Sequence, residues 1–326
     1  MRRRDCVVSL AATLLCLPSR AFPQQAANLR RIGVLVSASP PHPFADAFHH
    51  GLSTFGYTDG KNIAVDFLYT DARPDRATEY AIEFARSGVD IIVAHFTPAV
   101  KAAMKATRTI PIVMAPAGAP LEQGLVDSLA RPGGNVTGLS AMESELGGKR
   151  LQLLRELIPN LVCVAVLAAK PAIDGGFGEL LVKDFRGAAA KAAIRLAPVL
   201  VDGPSEFEMA FATMSEAGAQ VMFIQGLFEP YAGALIELAT KYHLALMSGG
   251  REPIAAGGLV SMSANYSFLY ERAAFYVDKL LRGATPAELP VEQPTEFQIV
   301  LNIKKAHALG LTPSPTLLAQ ISEIID

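Results

Sequence analysis

The chain has 326 residues, 51% of them hydrophobic and 18% charged. It is too long for one ordinary domain and apolar enough to fill two cores, which excludes a chain that stays disordered. Its formal charge of −2 argues against a nucleic-acid partner, which needs a strongly basic face.

Residues 1–27 read as a cleavable secretory signal. Arg2, Arg3 and Arg4 form a positive start, Val7–Pro18 is apolar, and Ser19–Ala27 offers small and polar residues where a peptidase can cut. The apolar run is short for a stable membrane span. Leu15 is too large to precede a lipid-modified Cys16. Removing the segment leaves 25 basic and 30 acidic side chains, a formal charge of −5, and Cys163 as the one remaining cysteine. The expected product is an exported, soluble chain without an intramolecular disulfide.

Short β-branched runs then alternate with alanine-rich helical stretches. Strands are expected at 32–37, 63–69, 91–94, 110–115 and 136–140, and helices at 44–55, 76–87, 98–107 and 121–130. A second series follows, with helices at 146–157, 178–193, 206–217 and 230–242 and strands at 162–168, 196–201, 221–225 and 244–248. Runs such as "DIIVA" and "IPIVMA" are apolar throughout, the mark of parallel strands covered on both faces. The fold class is therefore α/β, with two doubly wound, Rossmann-like lobes.

Three segments are expected to cross between the lobes: the one after "NVTGLS", the glycine-rich strand 257–263, and "ELPVEQP" at 288–294, whose prolines favour extended chain. A helix at 268–281 would return to the first lobe, and strand 297–302 would close the second. The division is lobe 1 at 28–140 plus 264–290 and lobe 2 at 141–263 plus 291–326. Three connecting strands make a hinge, the geometry of a clamshell.

Motifs for catalysis are missing. "GGNVTG" has the glycines of a phosphate loop, but Leu139 and Ser140 stand where Lys and Ser/Thr are required. No dinucleotide fingerprint follows the first strand, no G-x-S-x-G elbow is present, and the six histidines make no metal pattern. We expect no enzyme activity, no metal and no cofactor.

Candidate ligand contacts lie where strands end and helices begin, because helix N–H groups face that crevice in open α/β sheets. Ser37, Ser39 and Phe44 follow the first strand. In "AHFTPAVKAA", Thr97 suits an N-cap and Pro98 the first helical turn, with His95 and Phe96 beside them. "MAPAGAP", with Ala115 and Pro116, offers an apolar wall, and Ser140 ends the last strand of the first series. The second series contributes Gln225, Phe228, Glu229 and Tyr231, then Arg251 and Glu252, with Arg251 as a bidentate carboxylate clamp. Asn265 and Tyr266 follow the second crossing.

The segments "TPAVKAAMKATRTIPIV", "ARPGGNVTGLS", "KRLQLLRELIPN", "REPIAAGGLVSMSANY" and "AAFYVDKLLRGATPAELPVEQPTEFQIVLNIKKAHALGLTPSPTLLAQ" closely resemble the ABC-transporter substrate-binding family that includes tryptophan/tyrosine-type periplasmic binding proteins. The resemblance runs from about Arg31 to Asp326. It implies a type I periplasmic-binding fold with a three-strand hinge, no catalysis, a periplasmic monomer, and an ABC permease in the inner membrane as partner. Family members often carry "SYG" after the second crossing, where this chain has "SMSANY". Asn265 offers an α-ammonium only a neutral partner, leaving Glu229 or Glu252 to supply a carboxylate. The expected ligand is thus a small carboxylate-bearing molecule, aromatic or partly apolar, held by clamshell closure; an aromatic or branched acid without an amine is one form of it. A sensor that presents the same clamshell to a receptor kinase is the alternative.

Overall fold

The computed structural model describes residues 29–71 and 73–326; the expected signal segment lies outside the described residues. The first sheet has five parallel strands: β1 (Arg30–Val36), β2 (Ile63–Tyr69), β3 (Ile91–His95), β4 (Ile112–Ala117) and β5 (Val136–Ser140), in the order β2-β1-β3-β4-β5. Alternate side chains of these strands enter two different cores. Ile32, Val34 and Val36 meet Phe44, Phe48 and Leu52 of the helix Phe44–Thr54, and Leu269, Ala273 and Val277 of the helix Tyr266–Leu281. Leu35, Ile92 and Ala94 meet Phe84 and Val100 on the opposite side. Two buried faces explain why the strands are apolar without alternation.

The second sheet has seven strands: β6 (Cys163–Ala169), β7 (Arg195–Val201), β8 (Val221–Ile224), β9 (Ala245–Ser248), β10 (Val260–Ala264), β11 (Phe297–Asn302) and β12 (Glu323–Ile325). Their order is β12-β11-β10-β9-β8-β6-β7, with β11 antiparallel to β10. Helices Gly147–Leu157 and Phe177–Ala192 cover one face through Leu154, Leu181 and Phe185, and Phe211, Met214 and Leu235 cover the other. Among the described residues no helix is long and apolar enough to cross a membrane.

Two expectations fail locally. No helix forms at 121–130, which is a run of turns. Gly124 sits at φ +63, and the Asp127 N–H donates to the Pro132 carbonyl instead of to an i−4 partner. The short C-terminal strand β12 was not expected; it pairs with β11 from Val300 to Asn302.

The chain passes between the sheets three times. It leaves β5 at Ser140 for β6, and leaves β10 for the Tyr266–Leu281 helix that packs on the first sheet. It then runs beside β5 before entering β11. On that last passage Ser140 N–H donates to the Glu292 carbonyl (2.8 Å) and Glu292 N–H donates to the Gly138 carbonyl (3.0 Å). Arg272 grips the Glu292 carboxylate with two hydrogen bonds of 2.8 and 2.9 Å, and the Tyr276 hydroxyl donates to the Pro290 carbonyl at 2.7 Å.

Candidate functional site

The C-terminal ends of strands from both sheets face each other across a cavity of about 150 Å³. From the first sheet, Ser37 follows β1, Phe96 and Thr97 follow β3, Gly118 follows β4 and Ala141 follows β5. From the second, Phe177 lies beyond β6, Gln225 and Glu229 beyond β8, and Gly249 and Gly250 beyond β9. Glu143 and Tyr266 line it from the first and second crossings.

Phe96 is held in the left-handed region at φ +66, a conformation that a bulky side chain adopts only when its surroundings fix it. Its ring centroid lies 3.8 Å from that of His95 and 5.8 Å from that of Tyr266, which it meets edge-on. Behind it His95 is fully buried, with Nε2 3.0 Å from the Tyr270 hydroxyl and its ring stacked on Phe44 at 5.4 Å. Burial, and secondarily the neighbouring His42, hold His95 well below the usual imidazole range, so it is neutral. The Ser37 hydroxyl is buried and has no partner among the described residues. A polar atom left open in this way costs free energy unless something else meets it.

The acidic side of the cavity is built around Arg150. This side chain is fully buried on the helix Gly147–Leu157, over the Phe223 ring at 4.4 Å. It donates to the Met262 carbonyl from Nε (3.2 Å) and Nη2 (2.9 Å), and to the Glu143 carboxylate from Nη2 (2.5 Å). The other Glu143 oxygen accepts the Tyr266 hydroxyl at 2.9 Å. Glu229 sits nearby, tucked against Gly250, whose N–H donates to it at 2.6 Å. A Cβ on Gly250 would lie 2.5 Å from the Glu229 carboxylate, so only glycine allows this approach. Burial pushes Glu229 up to about 8. Repulsion from Glu252 and Glu143 adds to this, while the Gly250 N–H and Arg150 oppose it.

The sequence-derived candidates divide into two groups. Ser37, Phe96, Thr97 and Gln225 line the cavity, as do Glu229 and Tyr266. Thr97 is not an N-cap: the helix begins at Phe96, and Thr97 Oγ1 accepts the Gly118 N–H at 3.2 Å, joining the ends of β3 and β4. Gln225 Oε1 accepts the Ala169 N–H at 2.7 Å.

The others are placed elsewhere. Phe44, Ala115 and Phe228 are core residues, and His95 and Pro116 are buried behind the wall. Ser39 is exposed, and Ser140 Oγ accepts the Met142 N–H at 3.1 Å. Tyr231 is exposed and edge-on to Phe207, and Glu252 is exposed at the start of a four-residue helix. Asn265 caps its helix by accepting the Phe268 N–H at 3.0 Å. Arg251 is no clamp. It holds Glu323 of β12 through bonds of 2.5 to 3.0 Å, with half of its side chain in solvent.

Glu143, Phe177 and Gly118 were not anticipated. Glu143 reaches the cavity because Met142 turns the chain at φ +54. Arg73 lines the cavity as well, with its guanidinium paired to Asp75. Among the described residues no three His, Cys, Asp or Glu side chains group as a metal site.

Comparison with known proteins fits this geometry. Residues 31–325 match the family described as ABC transporter substrate binding protein. A tyrosine-binding protein of Clostridioides difficile (strain R20291) is 27% identical over 289 residues, covering 85% of this chain and 80% of the relative. The ABC domain from Streptococcus pneumonia, solved in complex with L-Trp, superposes with a TM-score of 0.83 at 24% identity, over 91% of this chain and all of that one. A conserved domain protein from Vibrio cholerae superposes at 0.81 with 25% identity, over 90% of this chain and 99% of that one. These likenesses show the two-lobed fold of type I periplasmic binding proteins, and a match across nearly the whole described chain settles the family: this protein belongs to the ABC transporter substrate-binding proteins, which bind solutes and are not enzymes.

Proposed function

We propose that this chain is the extracytoplasmic receptor of an ABC importer for an aromatic amino acid. It takes the ligand between lobe 28–140 with 264–290 and lobe 141–263 with 291–326, closes on it, and delivers it to an inner-membrane permease. The observation that carries this reading is the pair of carboxylates, Glu143 and Glu229, in one small cavity whose remaining walls include the rings of Phe96, Phe177 and Phe223. A ligand α-ammonium between the two acids gives Glu229 the cation that its burial otherwise denies it. The Ser37 hydroxyl, which has no partner among the described residues, is suited to the ligand carboxylate.

Asn265 alone leaves an acid without an amine open as a ligand. Glu143 and Glu229 favour an amino acid, and the naming of the C. difficile relative and the L-Trp in the S. pneumonia structure point the same way.

Thermal shift and calorimetry with L-tyrosine, L-tryptophan and L-phenylalanine, set against 3-phenylpropionate and phenethylamine, test this. A ligand at one hundred times its Kd stabilises by about 2.7 kcal/mol, a rise of a few degrees in Tm. The amino acids are expected to produce it and the truncated analogues are not. Equal binding of 3-phenylpropionate, or no binding by any of the five, would overturn the reading.

A further inference from the structure

In the wall of the same cavity the first sheet's side meets the second at Gly118 and Phe177. Gly118, at the end of β4, is buried, and a Cβ built on it would lie 2.6 Å from Cε2 and 2.8 Å from Cζ of the Phe177 ring. The first residue to support this ring from the other side of the cleft is therefore a bare backbone. Just before Phe177 the chain turns through Gly175 (φ +69) and Gly176 (φ +91), and Lys101 of the opposing helix Phe96–Ala106 donates to the Gly175 carbonyl at 3.2 Å. Lys101 Nζ is also bonded to Gln123 of its own lobe. Gly118 itself has no left-handed backbone, so glycine is not needed there for the chain to turn. Its missing side chain matters only because Phe177 lies against it.

We infer that Gly118 and Phe177 form a closure seat, fastened by Lys101 on the Gly175 carbonyl, that exists only when the lobes are together and that sets how long a ligand is held. This rests on the reading that the lobes close over an aromatic amino acid. Filling the seat opposes closure and, because Gly118 and Phe177 also line the cavity, narrows the ligand space; Lys101 lies outside that lining, so its variant reports closure by itself. Overpacking of this kind costs about 1.4 kcal/mol or more, which is about tenfold in an equilibrium constant. The loss appears in dissociation, since capture by the parted lobes does not involve the seat.

The test is stopped-flow and calorimetric binding of L-tyrosine and L-tryptophan to the full chain, wild type and Gly118→Val, Gly118→Ala, Phe177→Leu, Lys101→Met, and Gly118→Ala with Phe177→Leu. Gly118→Val is expected to raise koff about tenfold or more, with kon within about threefold and the ligand-free melting temperature within about two degrees. Lys101→Met raises koff by a smaller factor, and Phe177→Leu restores much of what Gly118→Ala loses. A koff for Gly118→Val within about twofold of a wild type that binds would overturn the seat alone. So would a double variant showing the plain sum of two losses. Wild-type protein that binds neither amino acid overturns the functional reading, and the seat with it.

Discussion

Raising the pH should tighten amino-acid binding, and Glu229 should be the reason. Its carboxyl is held at about 8 by burial first and by Glu252 and Glu143 second, against the help of the Gly250 N–H and Arg150. At pH 6 about one molecule in a hundred of the empty receptor has this group ionised, at pH 7 about one in ten, and at pH 8 half. A ligand ammonium needs the ionised form, so each binding event at pH 7 expels nearly one proton and costs about 1.4 kcal/mol relative to a site already charged. Kd for L-tyrosine should therefore fall about fiftyfold from pH 6 to pH 8. Calorimetry in two buffers of different ionisation enthalpy measures the proton directly. Glu229→Gln should bind more weakly at pH 8 and lose the pH dependence. A flat profile, or affinity that falls as pH rises, would refute the argument; the second result would mean that neutral Glu229 donates a hydrogen bond to the ligand.

The same carboxyl makes the ligand-free protein less stable as pH rises from about 5 to 8. The unfolded chain releases this proton near the ordinary value of 4.5 and the folded one does not until about 8, so unfolding is favoured across that window; chemical denaturation should show the slope in wild type and lose it in Glu229→Gln. Arg150→Met should cost about 3–5 kcal/mol, because Glu143 loses its charge partner and the Met262 carbonyl its donor; urea midpoints measure it. Arg251→Ala should change stability by less than about 1 kcal/mol and leave Kd unaltered, since its pair with Glu323 is exposed and neither residue lines the cavity. A tenfold loss of affinity there would restore it as a ligand contact.

How much of this was legible beforehand depended on how local the cause was. Strands such as Ile91–His95 announce themselves because both faces are covered by helices of the same lobe, so an unbroken apolar run is enough. The place of Ser37, Phe96 and Gln225 on the cavity wall follows from a rule of topology, that the ends of parallel strands border the crevice. Distance in sequence defeated the rest. Arg251 looked like a clamp because Glu323, which occupies it, lies 72 positions away on an unforeseen strand. Glu143 looked like any acid in a linker until Met142 turned it inward and Arg150 caught it. Gly118 and Phe177 are 59 positions apart and carry no local signal for each other. The empty space of a glycine takes its meaning from a neighbour that sequence order does not name.

Arg150 binds Glu143 on the first crossing and the Met262 carbonyl on the second, so two of the three interlobe strands meet at a single guanidinium. On the lobe closure proposed above, such a point acts as a pivot. A rotation about it moves nearby atoms little and distant atoms in proportion to their distance. Glu143 and the Tyr266 hydroxyl, bonded around that pivot, keep their places through most of the swing. In the proposed closure the Phe177 and Lys101 contacts are made between the lobes, and that proposal gives capture an order: the charged end of the ligand meets the Glu143 edge first, and the ring is enclosed afterwards.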